Sequence, residues 1–304
     1  MDATAYRPAP FAGRARSCVR AFPLVLLACA FAARAQHKAT DPGAPWPQNV
    51  DLARATAMGG ANGAIATGNE ALTTNPAGLA QTRRYHLEID GVTDPHFPAQ
   101  GLMISLVDSV SAPVATGLLF SRWGSGQPGG RGEGWYAGLA YSYGVGSTFV
   151  GGMTKYYRFA TPLGEAHRFA QDFAILAKRG TFGYALVFQN IATSSIPGFP
   201  ITGAVAIAWG NDTDWHLAFD YKADLSDTHN IKSKGAGGLE YLVEQVIALR
   251  GGATYDVSRE LWWVSAGLGF LTEKGGAQLV WRRRVAGAPG FDQLFEAAIT
   301  LYLE

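Results

Sequence analysis

Residues 214–222 read Asp-Trp-His-Leu-Ala-Phe-Asp-Tyr-Lys. Successive side chains of an extended chain point to opposite faces. Trp215, Leu217, Phe219 and Tyr221 therefore share one face, and Asp214, His216, Ala218, Asp220 and Lys222 share the other. A helix would repeat its apolar positions at three and four residues, which this stretch does not do. The same alternation recurs elsewhere. Val205, Ile207 and Trp209 alternate with Ala204, Ala206 and Ala208. Phe182, Tyr184, Leu186 and Phe188 alternate with Gly183, Ala185, Val187 and Gln189. Trp135, Leu139, Tyr141 and Tyr143 alternate with Tyr136, Gly138, Ala140 and Ser142. Near the C-terminus Phe295, Ile299, Leu301 and Leu303 alternate with Glu296, Ala298, Thr300 and Tyr302.

A soluble sandwich also alternates, so the period alone does not choose between the two. In a sandwich the large apolar residues point inward and the outward face is richly charged; here the second face is mostly Gly, Ala, Ser and Thr, a poor surface against water. Aromatic residues also gather near segment ends (Trp123, Trp135, Tyr143, Trp209, Trp215, Tyr221, Trp262, Trp281, Tyr302), as the interfacial girdles of a membrane barrel require. A closed barrel satisfies every backbone group in lipid. Segments of about ten residues fall near 85–91, 101–108, 114–123, 134–144, 147–159, 170–179, 181–191, 201–210, 214–224, 235–242, 245–256, 261–271, 276–285 and 293–303. Fourteen is an even number, and ten residues suit a tilted crossing. The expected fold class is an all-β transmembrane antiparallel barrel of about 14 strands with a small N-terminal plug. On its outer face Leu217→Arg should be costly, whereas His216→Arg, pointing inward, should be tolerated.

Composition agrees. The 304 residues are 48% hydrophobic and 16% charged, with 38 glycines. That excludes a disordered chain and, lacking a triplet period, collagen. Beyond residue 35 no apolar run reaches the length of a spanning helix. Residues 1–20 carry Arg7, Arg14, Arg16 and Arg20; Ala21–Ala33 form an apolar core; Ala33-Arg34-Ala35 is a small-x-small cleavage site. This reads as a secretory signal peptide cut after Ala35. A lipoprotein signal ending at Cys29 and a buried cytosolic helix are the alternatives. Cleavage removes both cysteines, five of the 25 basic residues and one of the 24 acidic ones, turning a formal charge of +1 into −3. A disulfide-stapled secreted domain and a nucleic-acid binder are thereby disfavoured. Residues 36–54, with Pro42, Pro45 and Pro47, read as a flexible periplasmic leader, 55–84 as a plug, and 85–304 as the barrel.

Residues 55–80, ATAMGGANGAIATGNEALTTNPAGLA, resemble the N-terminal signature of the FadL/PorV-type outer-membrane barrels. It pairs Met58-Gly59-Gly60-Ala61 with Asn75-Pro76-Ala77-Gly78-Leu79. Downstream, GGMTKYYRF, QDFAILAKRG, YALVFQNIA, LAFDYKADL, GGLEYLVEQVIALRGGATYD and SAGLGF are similar to the same group in the same order. The resemblance implies a bacterial outer-membrane location, contact with outer-membrane lipid, and residues 55–80 entering the lumen as a hatch. It implies uptake of small hydrophobic molecules such as fatty acids or hydrocarbons, with such a molecule as ligand. The alternative is a PorV-like adaptor whose partner is a secretion system or a surface protein. Two departures are shortness, implying reduced loops and pocket, and the ending Leu301-Tyr302-Leu303-Glu304, which lacks a terminal aromatic. On physical grounds Asn69 should cap a short helical turn, with Glu70 in its first turn and Pro76 ending it.

A search for chemistry is mostly negative, and no enzyme is expected. Ala140-Tyr141-Ser142-Tyr143-Gly144 imitates a nucleophile elbow, but that motif needs a strand-to-helix turn, and Ser142 lies mid-strand. Metal spacings are absent, Asp212 and Asp214 suit a turn, and Gly144-Val145-Gly146 lacks the remainder of a dinucleotide fingerprint. No cofactor and no metal are expected. The lumen-facing candidates are His86, Glu88, Asp90, His216, Asp220, Lys222, Arg250, Arg282 and Arg284. They either line a polar path or form cross-barrel ion pairs holding plug and wall together.

Overall fold

The computed structural model describes residues 51–95, 100–124, 133–161, 164–191, 200–227, 229, 231–287 and 293–303. The signal segment 1–35 and leader residues 36–50 lie outside the described residues. Among the described residues fourteen strands alternate up and down. They are β1 (Tyr85–Thr93), β2 (Gln100–Asp108), β3 (Ala115–Gly124), β4 (Gly134–Val145), β5 (Thr148–Thr161), β6 (Gly164–Arg179) and β7 (Phe182–Ile191), followed by β8 (Thr202–Gly210), β9 (Trp215–Asp224), β10 (Lys232–Val243), β11 (Ile247–Asp256), β12 (Leu261–Thr272), β13 (Gly275–Ala286) and β14 (Gln293–Leu303). Each pairs antiparallel with its sequence neighbours, and β1 closes on β14 from Tyr85↔Leu303 to Thr93↔Phe295. Closure leaves no edge, so every strand can cross lipid.

The outward face confirms the solvent. Leu139 is 53% exposed, Val205 54%, Phe219 49%, Leu279 63% and Ile299 61%, while their neighbours Ala140, Ala204, Ala218, Val280 and Ala298 are buried. A continuous apolar belt of this kind fits hydrocarbon and not water. No helix among the described residues is long and apolar enough to cross; the strands do so. Aromatic clusters mark both rims: Phe182, Trp209 and Trp215 at one end, Trp135, Tyr156 and Tyr255–Trp262 at the other. Trp123 is a correction. It is 5% exposed and packs at a tilt against Tyr136 inside the lumen, because it shares the parity of Leu119 and Ser121 rather than of Phe120. Tyr302 likewise packs inward, edge-on to His86.

Strand β6 begins at Gly164, six residues before the alternation does. The β5–β6 hairpin continues past the apolar belt as far as Thr161↔Gly164, where Arg158–Glu165 and Tyr156–His167 replace lipid contacts. Beyond the bilayer the pattern that reveals a strand is no longer required. The two-residue connections 146–147, 180–181 and 273–274 lie at the end that also holds Tyr85 and Leu303. Short turns mark the periplasmic side of an outer-membrane barrel. The opposite end is the outer one.

Candidate functional site

The lumen is occupied by residues 51–81, which fold as helix α1 (Ala53–Ala57), a 3-10 turn at Gly68–Glu70, helix α2 (Ala71–Thr74) and a 3-10 helix at Pro76–Gln81. The packed segment starts before residue 55: Leu52 is 1% exposed and Arg54 is ion-paired to the wall, so Asp51–Arg54 belongs with it and not with a leader.

Both sequence motifs have local physical reasons. After α1, Met58 is the C-cap and Gly59 turns left-handed at φ 70°. The N–H of Gly60 donates to the Ala55 carbonyl at 2.8 Å and that of Gly59 to Thr56 at 3.0 Å, the paired bonds of a Schellman cap. In the second motif the Asn75 side chain accepts from the Ala77 N–H at 3.1 Å, caps the 3-10 helix and places Pro76 at its first position. Gly78 is there for space, because a Cβ would strike the Ala66 carbonyl. Asn69 does not cap. Its amide donates to Ser105 on β2 at 2.7 Å, and Thr67 occupies the cap position, its N–H and hydroxyl donating to Glu70. Placing Asn69 one residue inside the turn turns its side chain to the wall.

The wall meets this segment with glycines and donors. A Cβ on Gly151 would lie 2.6 Å from Ala77 N, on Gly183 2.6 Å from Ala64 O, and on Gly238 2.5 Å from Met58 O. The hydroxyls of Ser265 and Ser142 donate to the carbonyls of Ala57 (2.9 Å) and Ala77 (2.8 Å), and Thr254 donates to Gly59. Ser142 is thus a plug contact. Helix ends buried in a lumen leave carbonyls without partners, and these side chains supply them.

The nine sequence candidates all fall on the lumen side of their strands, and some of them touch this segment. Asp90 accepts the Ala53 N–H at 2.9 Å and Asp220 accepts that of Gly63 at 2.9 Å. The ring of His86 sits where a Cβ on Gly68 would be. Glu88 accepts from Thr300 across the β1–β14 seam. Lys222 donates to Gln189 at 3.1 Å and Arg282 to Thr254 at 3.2 Å; Arg284 lies 5.9 Å over the Trp263 ring. His216 and Arg250 converge on Glu240, at 3.3 Å and 2.6 Å. His216 also faces Asp212 at 3.2 Å, so it stands between two carboxylates.

Glu240 is the centre of the site and was not among the candidates. Its side chain is 2% exposed and takes the Arg54 guanidinium in fork geometry, Nε at 2.9 Å and Nη2 at 2.7 Å, with Glu70 on the third nitrogen. Burial disfavours the Arg54 charge, but Glu240 and Glu70 outweigh it and raise its pKa. The available signal was parity, since Glu240 pairs with His216 across β9–β10. Gln189 and Asn190 are a second omission. Period-two counting puts Gln189 on the inner face, but a bulge in β7, with Asn190 at φ 58°, turns Asn190 inward beside it, which such counting cannot detect.

Above the plug, at the outer end, lies a cavity of about 130 Å³ floored by Asp51 and Thr73 and walled by Tyr136, Gln189 and Lys222 among others. Its lining mixes charged and amide side chains with the aromatic Tyr136 and Tyr157.

No protein-family model matches the chain, and no curated protein matches its sequence. Solved structures do. The toluene transporter TbuX of Ralstonia pickettii superposes with a TM-score of 0.61 at 12% identity, over 84% of this chain and 99% of its own. The monoaromatic hydrocarbon channel CymD gives 0.57 at 12%, over 84% and 98%. The P. putida toluene transporter TodX gives 0.53 at 13%, over 84% and 99%. At such identities the likeness is one of fold. The chain is a closed fourteen-strand β-barrel that shares the fold of these transporters and channels.

Proposed function

We propose that this barrel takes small hydrophobic molecules across the bacterial outer membrane, and that residues 51–81 are the hatch that gates them. The observation that carries this is a lumen filled by a separate segment, attached by hydrogen bonds and ion pairs to a wall that closes without it. All fourteen ladders run strand to strand. The plug's links to the wall, such as Arg54–Glu240 and Asp90–Ala53, are side-chain contacts that can break without opening the barrel. TbuX and TodX, which share the fold, are toluene transporters. A filled lumen equally suits an attachment adaptor, and the same experiment separates the two.

The test is uptake of radiolabelled toluene by proteoliposomes, together with planar-bilayer conductance of wild type and of a variant lacking residues 51–81. Toluene uptake by wild type and a folded deletion with raised conductance support the reading. No uptake above empty liposomes removes transport and leaves the adaptor. Unchanged conductance in the deletion overturns the hatch. If the deletion does not insert, Glu240→Ala loosens the same segment in the full chain and is measured identically.

A further inference from the structure

The outer cavity has a chemistry that a pure hydrocarbon does not use, and we propose that it is a binding site for a single-ring aromatic carboxylate. Its volume of about 130 Å³ is on the scale of the roughly 150 Å³ cavity that holds one benzene ring. Tyr136 presents the ring surface; it packs in tilted geometry against Tyr157 at 5.1 Å between centroids and Trp123 at 6.2 Å, an aromatic wall against which another ring can pack.

The polar side favours an anion. Five cations line the cavity (Lys155, Lys222, Lys232, Lys234 and Arg259) against three carboxylates, Asp51, Asp224 and Asp256. Two of those carboxylates already hold local partners: Asp256 accepts the Ser258 and Arg259 N–H groups and faces Lys234, and Asp224 accepts that of Ser226. Lys155 is paired with Asp172 at 2.6 Å. Lys222 differs. Its ammonium donates to the neutral Gln189 amide at 3.1 Å and, among the described residues, has no carboxylate at ion-pair distance. A lysine held by an amide oxygen at the rim of a cavity gains a charge-assisted bond when a carboxylate arrives.

The β7 bulge builds this arrangement. It turns Asn190 inward beside Gln189, so that Gln189 grips the Thr73 carbonyl of the plug at 2.8 Å while holding Lys222, and Asn190 takes the Tyr157 hydroxyl at 3.0 Å. Bulges are over-represented where a side chain must be re-aimed beside a functional site. Here one irregularity places the amide that holds the ammonium next to the one that holds the ring wall.

This site goes beyond hydrocarbon passage and is tested without it, by binding to the solubilised full chain rather than by uptake. Isothermal titration with benzoate, toluene, cyclohexanecarboxylate and inorganic phosphate, on wild type and Lys222→Gln, provides the readout. Saturable benzoate binding, weaker binding of the other three, and a loss of about tenfold or more in Lys222→Gln are expected. The variant keeps a hydrogen-bonding group beside Gln189 and should retain its circular dichroism. Absence of saturable benzoate binding overturns the proposal. So does toluene, cyclohexanecarboxylate or phosphate binding as tightly as benzoate, or an unchanged affinity in folded Lys222→Gln.

Discussion

Replacing Glu240 with alanine removes the carboxylate on which two guanidiniums and an imidazole converge. In the wild type one oxygen takes Arg54 at 2.7 Å and His216 at 3.3 Å, and the other takes Arg54 at 2.9 Å and Arg250 at 2.6 Å. After the change Arg54 retains Glu70, but Arg250, 3% exposed, is left with the neutral amide of Gln278. Breaking a buried ion pair from one side costs about 3–5 kcal/mol, because the remaining charge is stranded away from water. The cost falls on the docked plug, since Arg54 is its member of the network. At 1.36 kcal/mol per tenfold, docking should weaken by roughly 150- to 5,000-fold. The assay is amide hydrogen exchange read by mass spectrometry on the solubilised protein. Amides of Gly60 and Gly78, bonded within the plug to Ala55 and Asn75, should lose protection by that factor, while strand amides keep theirs. The exposed pair Arg158–Glu165, with side chains 43% and 55% accessible, is the control; Arg158→Ala should change stability by less than about 1 kcal/mol. Unchanged plug protection in Glu240→Ala, or an equal loss in plug and wall, refutes the latch.

Three further outcomes follow from the packing. Phe219→Arg, at the centre of β9 and 49% exposed to lipid, should destabilise the barrel by about 2–4 kcal/mol in reversible unfolding from liposomes, whereas Ile231→Arg, beyond the strands, should cost about 0–1 kcal/mol; equal costs would contradict the assigned belt. Gly183→Leu places a side chain where the Ala64 carbonyl lies and should overpack the plug by about 1–3 kcal/mol, seen as faster proteolysis of residues 51–81 in an otherwise folded barrel. Asn75→Ala removes the cap on Ala77 and the bond to the Gly63 carbonyl at 2.6 Å, and should lower plug protection by about 1 kcal/mol without altering the thermal midpoint of the wall.

What the sequence determines by itself is whatever lipid imposes on it. Hydrocarbon demands an apolar side chain at every second position, so DWHLAFDYK and its counterparts disclose strand, face and approximate strand number from local pattern alone. The Schellman glycine Gly59 and the capping pair Asn75-Pro76 are equally local, since each satisfies backbone groups within a few residues. Where lipid stops, so does legibility: β6 runs six residues beyond its alternation because paired strands outside the bilayer need only hydrogen bonds. The lumen was harder still. Parity could bring His216, Asp220 and Arg250 inward, but the choice of Glu240 as their centre depends on the β9–β10–β11 register and on Arg54 arriving from 186 positions away. Asn190 and Gln189 face inward together only because β7 carries one residue more than β6 at that point, a mismatch that neither strand contains alone. The plug's seat, its latch and the cavity above it are properties of which strands stand side by side, and only closure of the barrel decides that.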